Sequence, residues 1–312
     1  MLFVFVDGVG VGPADASRNP LAAAPLPVLQ RLLGGARPVL EELGEEGAGA
    51  ARSHMVAIDA TLGVAGRPQS GTGQSALLSG TNTAALLGRH FGPWVPTALR
   101  EQLARESLFA RALAAGHGVA FANAYPAGYM APGGRGFRRP GAFPLAAHAA
   151  GLLTRDESHV HREEALVSSI TTDSWRRYVD PAAPAVSPAA AGRALARIAA
   201  RHHLTVFAHY DTDYVGHRGD PDAAARALQL VDDFLGGVLE ELPPDVLLVL
   251  TSDHGNLEDT TTGHTTNPVP LLVVGSGARR YLTGARRVTD VASLILGMLG
   301  TRAEETAGSV TT

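Results

Sequence analysis

Cysteine is absent from this 312-residue chain. No disulfide, thiolate ligand or cysteine nucleophile is available, and secretion gains no support. Lysine is absent too, so all 26 basic residues are arginine. That excludes a Schiff base or a lysine phosphate clamp and leaves arginine to hold any anion. Charge of one sign is also scarce: 30 acidic residues bring the formal net charge to −4. This near-balance argues against nucleic acid or an anionic membrane as partner. No stretch approaches the ~18 apolar residues needed to span a bilayer. The apolar start Met1–Val6 is too short for a signal peptide and lacks its basic lead. A soluble cytoplasmic protein is the expectation. A dinucleotide site is rejected as well. In Asp7-Gly8-Val9-Gly10-Val11-Gly12-Pro13 the last glycine of the GxGxxG pattern is replaced by Pro13 in one register and by Asp15 in the other.

Short β-branched runs alternate with helix-like stretches. Strands are expected at Leu2–Val6, Val56–Ile58, Val119–Ala122, Leu204–Ala208, Val246–Leu250 and Pro270–Val274. Helices are expected at Leu26–Leu33, Gly73–Ser79, Leu108–Ala115 and Ala189–Ala200, from Pro221 to about Glu241, and at Asp290–Leu299. Asp220-Pro221 is a cap followed by proline at the first helical position. Strands spaced by helices predict an α/β fold with a doubly wound, mostly parallel sheet. Length alone gives a prior of roughly two domains. Residues 125–188 break the rhythm with Gly/Arg-rich loop chemistry, and they read as an inserted lid or small cap between core segments 1–124 and 189–312.

Three polar clusters each follow a strand-like run. Asp7 ends the first. Asp213 and His217 follow Leu204–Ala208 at a spacing that puts both on one face of a helical turn. Asp253 and His254 follow Val246–Leu250, with His264 beyond a polar loop. Taken singly, an Asp-His-Gly is a turn and a DxxxH is a cap with a surface histidine. Together they read as one metal site at the carboxyl edge of a parallel sheet. Mixed carboxylate and imidazole ligands suit a zinc- or manganese-type ion. Ser70 and Thr72 lie in a Gly-rich turn entering a helix, where free N–H groups hold phosphate oxygens. Either hydroxyl could act as nucleophile there. Arg135, Arg138, Arg139, His159 and His161, in the insert, are candidates for contacting a substrate anion.

With these residues in hand, the chain resembles the alkaline phosphatase superfamily, and most of all its cofactor-independent phosphoglycerate mutase and phosphopentomutase branch. The likeness covers roughly residues 1–90 and 200–275. It is carried by Val6-Asp7-Gly8-Val9-Gly10, Asn19-Pro20-Leu21-Ala22-Ala23-Ala24, Asp213-Tyr214-Val215-Gly216-His217, Ser252-Asp253-His254-Gly255-Asn256 and His264-Thr265-Thr266-Asn267-Pro268. The resemblance implies two divalent ions, Mn²⁺ or Zn²⁺, one held by Asp213, His217 and His264 and the other by Asp7, Asp253 and His254. Ser70 would lie beside both, ligate metal and carry the phosphoryl group. Two departures stand out. Gln69 and Gln74 take the places of the mutases' Asn before the nucleophile and His four residues after it, and about sixty residues replace their large second domain. Hydrolysis of a small phosphorylated metabolite therefore moves ahead of a compact phosphomutase. A non-catalytic metal-binding protein comes third.

Overall fold

The computed structural model describes residues 1–308. Its centre is β1 (Leu2–Val6), whose five residues are all buried. Phe3 and Phe5 point into one hydrophobic core, and Leu2, Val4 and Val6 into the other. A strand that buries both faces belongs in the middle of a helix-covered sheet, and each such side chain contributes about 1.5–3 kcal/mol by leaving water. The remaining strands are β2 (Ser53–Ile58), β3 (Val119–Phe121), β4 (Leu204–His209), β5 (Leu248–Thr251) and β6 (Val269–Val274), in the order β2-β6-β5-β1-β4-β3.

Strands β3, β4, β1 and β5 are mutually parallel, as expected. β6 is not, because it runs antiparallel to both β5 and β2. The physical reason lies in the β5–β6 connection, a loop that contains no helix. A parallel return needs a crossover, and a plain loop can only turn the chain back. In register, Val6 stands opposite His209, and Phe5 opposite Thr251. The residues after β1, β4 and β5 therefore emerge at one edge. The reversal of β6 brings the residues before it to that same edge.

Helix Ser70–Ser79 packs under this edge in the first core with Thr97–Glu106 and Leu108–Ala114. The expectation for 125–188 needs correction in one part. Helix Ala142–Ala149 belongs to this core, with the Phe143 ring 4.5 Å from that of Phe5. Its apolar sequence cannot stay in solvent, and Leu166 and Ile170 join the second core from the flanking parts of the insert. One of these parts keeps a small cluster of its own around Val160, Val167 and Trp175.

The second core is closed by helices Pro188–Ala199 and Pro221–Glu241, which cross at glycines. A Cβ on Gly237 would stand 2.0 Å from the Ala189 carbonyl oxygen. Gly237→Ala is expected to destabilise the fold by about 1–3 kcal/mol, because backbone atoms cannot yield and overpacking outweighs the gain in helix propensity. Gly297→Ala, in helix Asp290–Gly308, meets nothing within 4 Å and should instead stabilise by about 0.5–1 kcal/mol. Urea denaturation of the two variants checks the opposite signs.

Candidate metal centre

Asp7 follows β1 directly. The chain turns away at Gly8 (φ +67°), where a Cβ would also come within 2.6 Å of Asp213 Oδ1. Glycine is required here on both counts. Asp253 follows β5 and is fully buried, as is His254. Helix Asp211–Gly216 carries Asp213, and His217 caps its end with a half-exposed side chain. His264 lies in the loop before β6.

The structure brings all six expected ligands together and forms two groups from them. Asp7, Asp253 and His254 offer ligand atoms within 4.8 Å of one another, and so do Asp213, His254 and His264. His217 Nε2 joins the second group, 3.4 Å from Asp213 Oδ2 and 3.1 Å from His264 Nε2. His254 thus stands between the groups, where the resemblance assigned it to one alone. Its ring stacks on His264 at 4.0 Å between centroids, and its Nε2 is 3.4 Å from Asp7 Oδ1.

Orphaned polar atoms test whether cations fit. Asp7 Oδ1 and both carboxyl oxygens of Asp253 are buried without any hydrogen-bond partner, an expensive state for carboxylates. Burial, and then the charges of Asp253 and Asp213, push the Asp7 carboxyl well above the ordinary carboxylate range. Burial likewise raises Asp253. In the second group two imidazole Nε2 atoms face each other at 3.1 Å, so a proton or cation must sit between them. Burial would raise Asp213, but His264, His254 and the Asn256 amide outweigh it and hold the carboxyl at about 2. Burial would lower His264, yet the Asp213 carboxylate wins and raises it. His264 Nδ1–H donates to the Pro68 carbonyl at 2.8 Å, which turns Nε2 toward the group as a ligand. The unpaired carboxyl oxygens of the first group and the facing imidazole nitrogens of the second make a donor set that fits divalent ions.

Ser70 opens helix Ser70–Ser79, with Oγ 3.0 Å from His254 Nε2. Thr72 is turned away: its hydroxyl donates to the Gln69 carbonyl and accepts the Phe91 N–H, both at 3.1 Å. A cavity of about 380 Å³ opens beside Ser70, lined by Arg67, Gln69, Ser70, Pro93, Asp213, His217 and His264. None of the five insert candidates lines it. His159 pairs with Asp156 at 2.8 Å and His161 with Asp180 at 2.7 Å. The Arg139 guanidinium lies 4.3 Å over the Trp94 ring, while Arg135 and Arg138 are exposed on a short helix of the insert. The cation that does face the cavity is Arg67, which the sequence reading passed over because it stands in a Gly/Pro loop without a motif.

Gln74, noted in the sequence only as a departure from the mutase pattern, and Asn256, noted only within a motif, also belong to the site. Gln74 Nε2 donates to Asp7 Oδ2 at 3.0 Å. Its position one helical turn beyond Ser70 was the available signal. Asn256 donates to Asp213 Oδ1 at 2.6 Å, and its closeness in sequence to Asp253 and His254 pointed to it.

Residues 179–303 match the family model described as the metalloenzyme superfamily. A phosphopentomutase of Chromohalobacter salexigens is 51% identical over 76 residues, 24% of this chain and 18% of that protein. A 2,3-bisphosphoglycerate-independent phosphoglycerate mutase of Paracoccus denitrificans is 36% identical over 130 residues, 39% of this chain and 25% of that protein. The matched stretches thus span a quarter or less of these relatives. In fold, a protein from Pyrococcus horikoshii aligns over 96% of both chains with a TM-score of 0.57 at 14% identity. The cold-active alkaline phosphatase of a psychrophilic Shewanella aligns over 96% of this chain and all of its own, with a TM-score of 0.55 at 14% identity. No helix among the described residues is long and apolar enough to cross a membrane. Residues 179–303 thus resemble the metalloenzyme superfamily, and the chain as a whole has an alkaline-phosphatase-like fold.

Proposed function

We propose that this chain is a two-metal phosphoryl-transfer enzyme that hydrolyses a phosphate ester of a small metabolite through a phosphoserine on Ser70. The observation that carries the reading is Ser70 itself: a hydroxyl at a helix N-terminus, 3.0 Å from His254 Nε2, between two ligand groups and facing an open cavity. Asp213, His217 and His264 would hold one ion, and Asp7, Asp253 and His254 the other. When bound, manganese or zinc would favour the ionised Ser70 hydroxyl and neutralise the phosphoryl oxygens.

The protein's own groups do the rest. Gln74 fixes Asp7, Asn256 fixes Asp213, and the Pro68 carbonyl fixes the His264 ring. The N-terminus of helix Ser70–Ser79 and Arg67 attract the non-bridging phosphate oxygens. Ser70 Oγ gives its proton to water in the cavity and attacks phosphorus in line, and the ester oxygen leaves with its electron pair and takes up a proton. Water entering from the cavity then breaks the Ser70 Oγ–P bond, releasing phosphate and restoring the hydroxyl.

A compact phosphomutase is the second reading, favoured by the stretches shared with a phosphopentomutase and a phosphoglycerate mutase. Turnover with Mn²⁺ or Zn²⁺ separates the two. Phosphomonoesters, a phosphodiester, 3-phosphoglycerate and ribose 5-phosphate are followed for free phosphate and for isomer. Metal-dependent phosphate release is the expected result, whereas isomerisation without release would make the chain a mutase.

A further inference from the structure

The ligands hang on loops far apart in sequence, and Glu258 sits where the loop after β1 meets the two ends of the β5–β6 loop. Its side chain is buried. Oε2 accepts the Gly10 N–H at 2.9 Å, from the loop after β1, and the Asn256 N–H at 2.8 Å, from the near end of the β5–β6 loop. Oε1 accepts the Thr265 hydroxyl and, at 3.1 Å, the Asn267 amide, both from the far end of the β5–β6 loop. The backbone closes round this carboxyl. A Cβ on Gly10 would stand 2.3 Å from Glu258 Cδ, and one on Gly255 would stand 2.2 Å from Oε1.

Every group that Glu258 holds lies next to a ligand. Gly10 is three residues from Asp7, Asn256 is two from His254 and three from Asp253, and Thr265 adjoins His264. The Asn256 side chain reaches across to Asp213 Oδ1 at 2.6 Å. A buried carboxylate is a costly way to stabilise a core, where an apolar residue of similar volume serves as well or better. Four donors, one from the loop after β1 and three from the two ends of the β5–β6 loop, instead give fixed spacing. We propose that Glu258 is a positioning residue that sets the geometry of both ligand groups, so that divalent-ion affinity at both depends on it. This inference rests on reading those groups as metal sites.

The test is calorimetric titration of the full chain with Mn²⁺ at neutral pH, for the wild type, Glu258→Gln and Thr265→Ala. Glutamine keeps the volume but one of its two terminal atoms no longer accepts hydrogen bonds, while Thr265→Ala removes a single donor and leaves the carboxyl. Glu258→Gln is expected to weaken Mn²⁺ binding about 10–100-fold at both groups, and Thr265→Ala by less. A merely structural carboxyl would lower the melting temperature of the metal-free protein and leave the affinity of the folded protein unchanged. Affinities within about threefold of wild type in both folded variants overturn the proposal, since outer-shell partners cost more than that. If Glu258→Gln does not fold, Thr265→Ala and Asn267→Ala decide it by the same criterion. A wild type that binds neither Mn²⁺ nor Zn²⁺ overturns the metal reading itself, and this inference with it.

Discussion

Ser70→Ala is expected to lower metal-dependent phosphate release by at least about 10³-fold, on the scale seen when a nucleophile is removed from a constellation that acts as a unit. Mn²⁺ affinity should change little, because the carboxylates and imidazoles remain. The neighbouring hydroxyl provides the control. Thr72 is tied to the Gln69 carbonyl and the Phe91 N–H and does not line the cavity. Thr72→Ala should therefore cost about 1–2 kcal/mol of stability, the price of unmade hydrogen bonds, and keep most of the turnover. Rapid-quench kinetics with mass analysis of the trapped protein reads both points, since phosphate should appear on the peptide containing Ser70 and be missing from the alanine variant. Turnover lost in Thr72→Ala and kept in Ser70→Ala would reverse the assignment. Turnover kept in both would revive the reading of a metal site that only supports the fold.

Removing divalent ions should destabilise the protein most at neutral to mildly alkaline pH. Asp7 and Asp253 are raised above their unfolded value, chiefly by burial. Between that value and their raised folded ones, the folded chain binds more protons than the unfolded chain. Stability of the metal-free protein therefore falls as pH rises through this window. His264 works in the same direction: it is raised in the folded state, so its contribution is present below pH 6.5 and fades as pH climbs through its folded value. Asp213 has the opposite sign, but it is held at about 2, so its contribution is lost only in acid, below the unfolded value of 3.8. Bound ions reverse the penalty because they engage the ionised carboxylates of the folded state alone. At a hundredfold excess over Kd each site adds about 2.7 kcal/mol. For a chain of this size, two sites amount to roughly 8 °C in Tm. Thermal melts with Mn²⁺ and with a chelator should differ by that order at pH 8 and converge toward pH 5. Coincident melts at pH 8 would falsify the ligand assignment.

Much of this was legible along the chain because it is local. The run Leu2–Val6 is apolar on both faces, and that alone marks a central strand. Asp7, Asp213 and Asp253 follow three such runs, so their meeting at one edge needs only a parallel sheet. The spacing of Asp213 and His217 is a property of one helical turn. Ser70 in a Gly-rich turn announces a helix N-terminus.

Other features were decided by contacts between distant residues. The direction of β6 depends on how the loop after β5 closes, and that reversal carries His264 to the site. His254 serves both ligand groups only because its ring stacks on His264 across the edge. Helix Ala142–Ala149 is recognisable as apolar, but nothing local says that Phe143 will meet Phe5. The five charged residues of the insert resembled anion ligands until Asp156, Asp180 and Trp94 were seen to engage three of them and exposure to account for the other two. Glu258, in the polar stretch Leu257-Glu258-Asp259, looks like a surface residue by every local measure. It becomes a buried hub because Gly10, 248 residues away in sequence, leaves no Cβ in its path. Periodicity and turn chemistry fix which elements form and which side chains share a face. Which loops touch, and therefore which carboxyl pairs with which donor, follows from closing the chain over hundreds of residues, and only the tertiary structure records it.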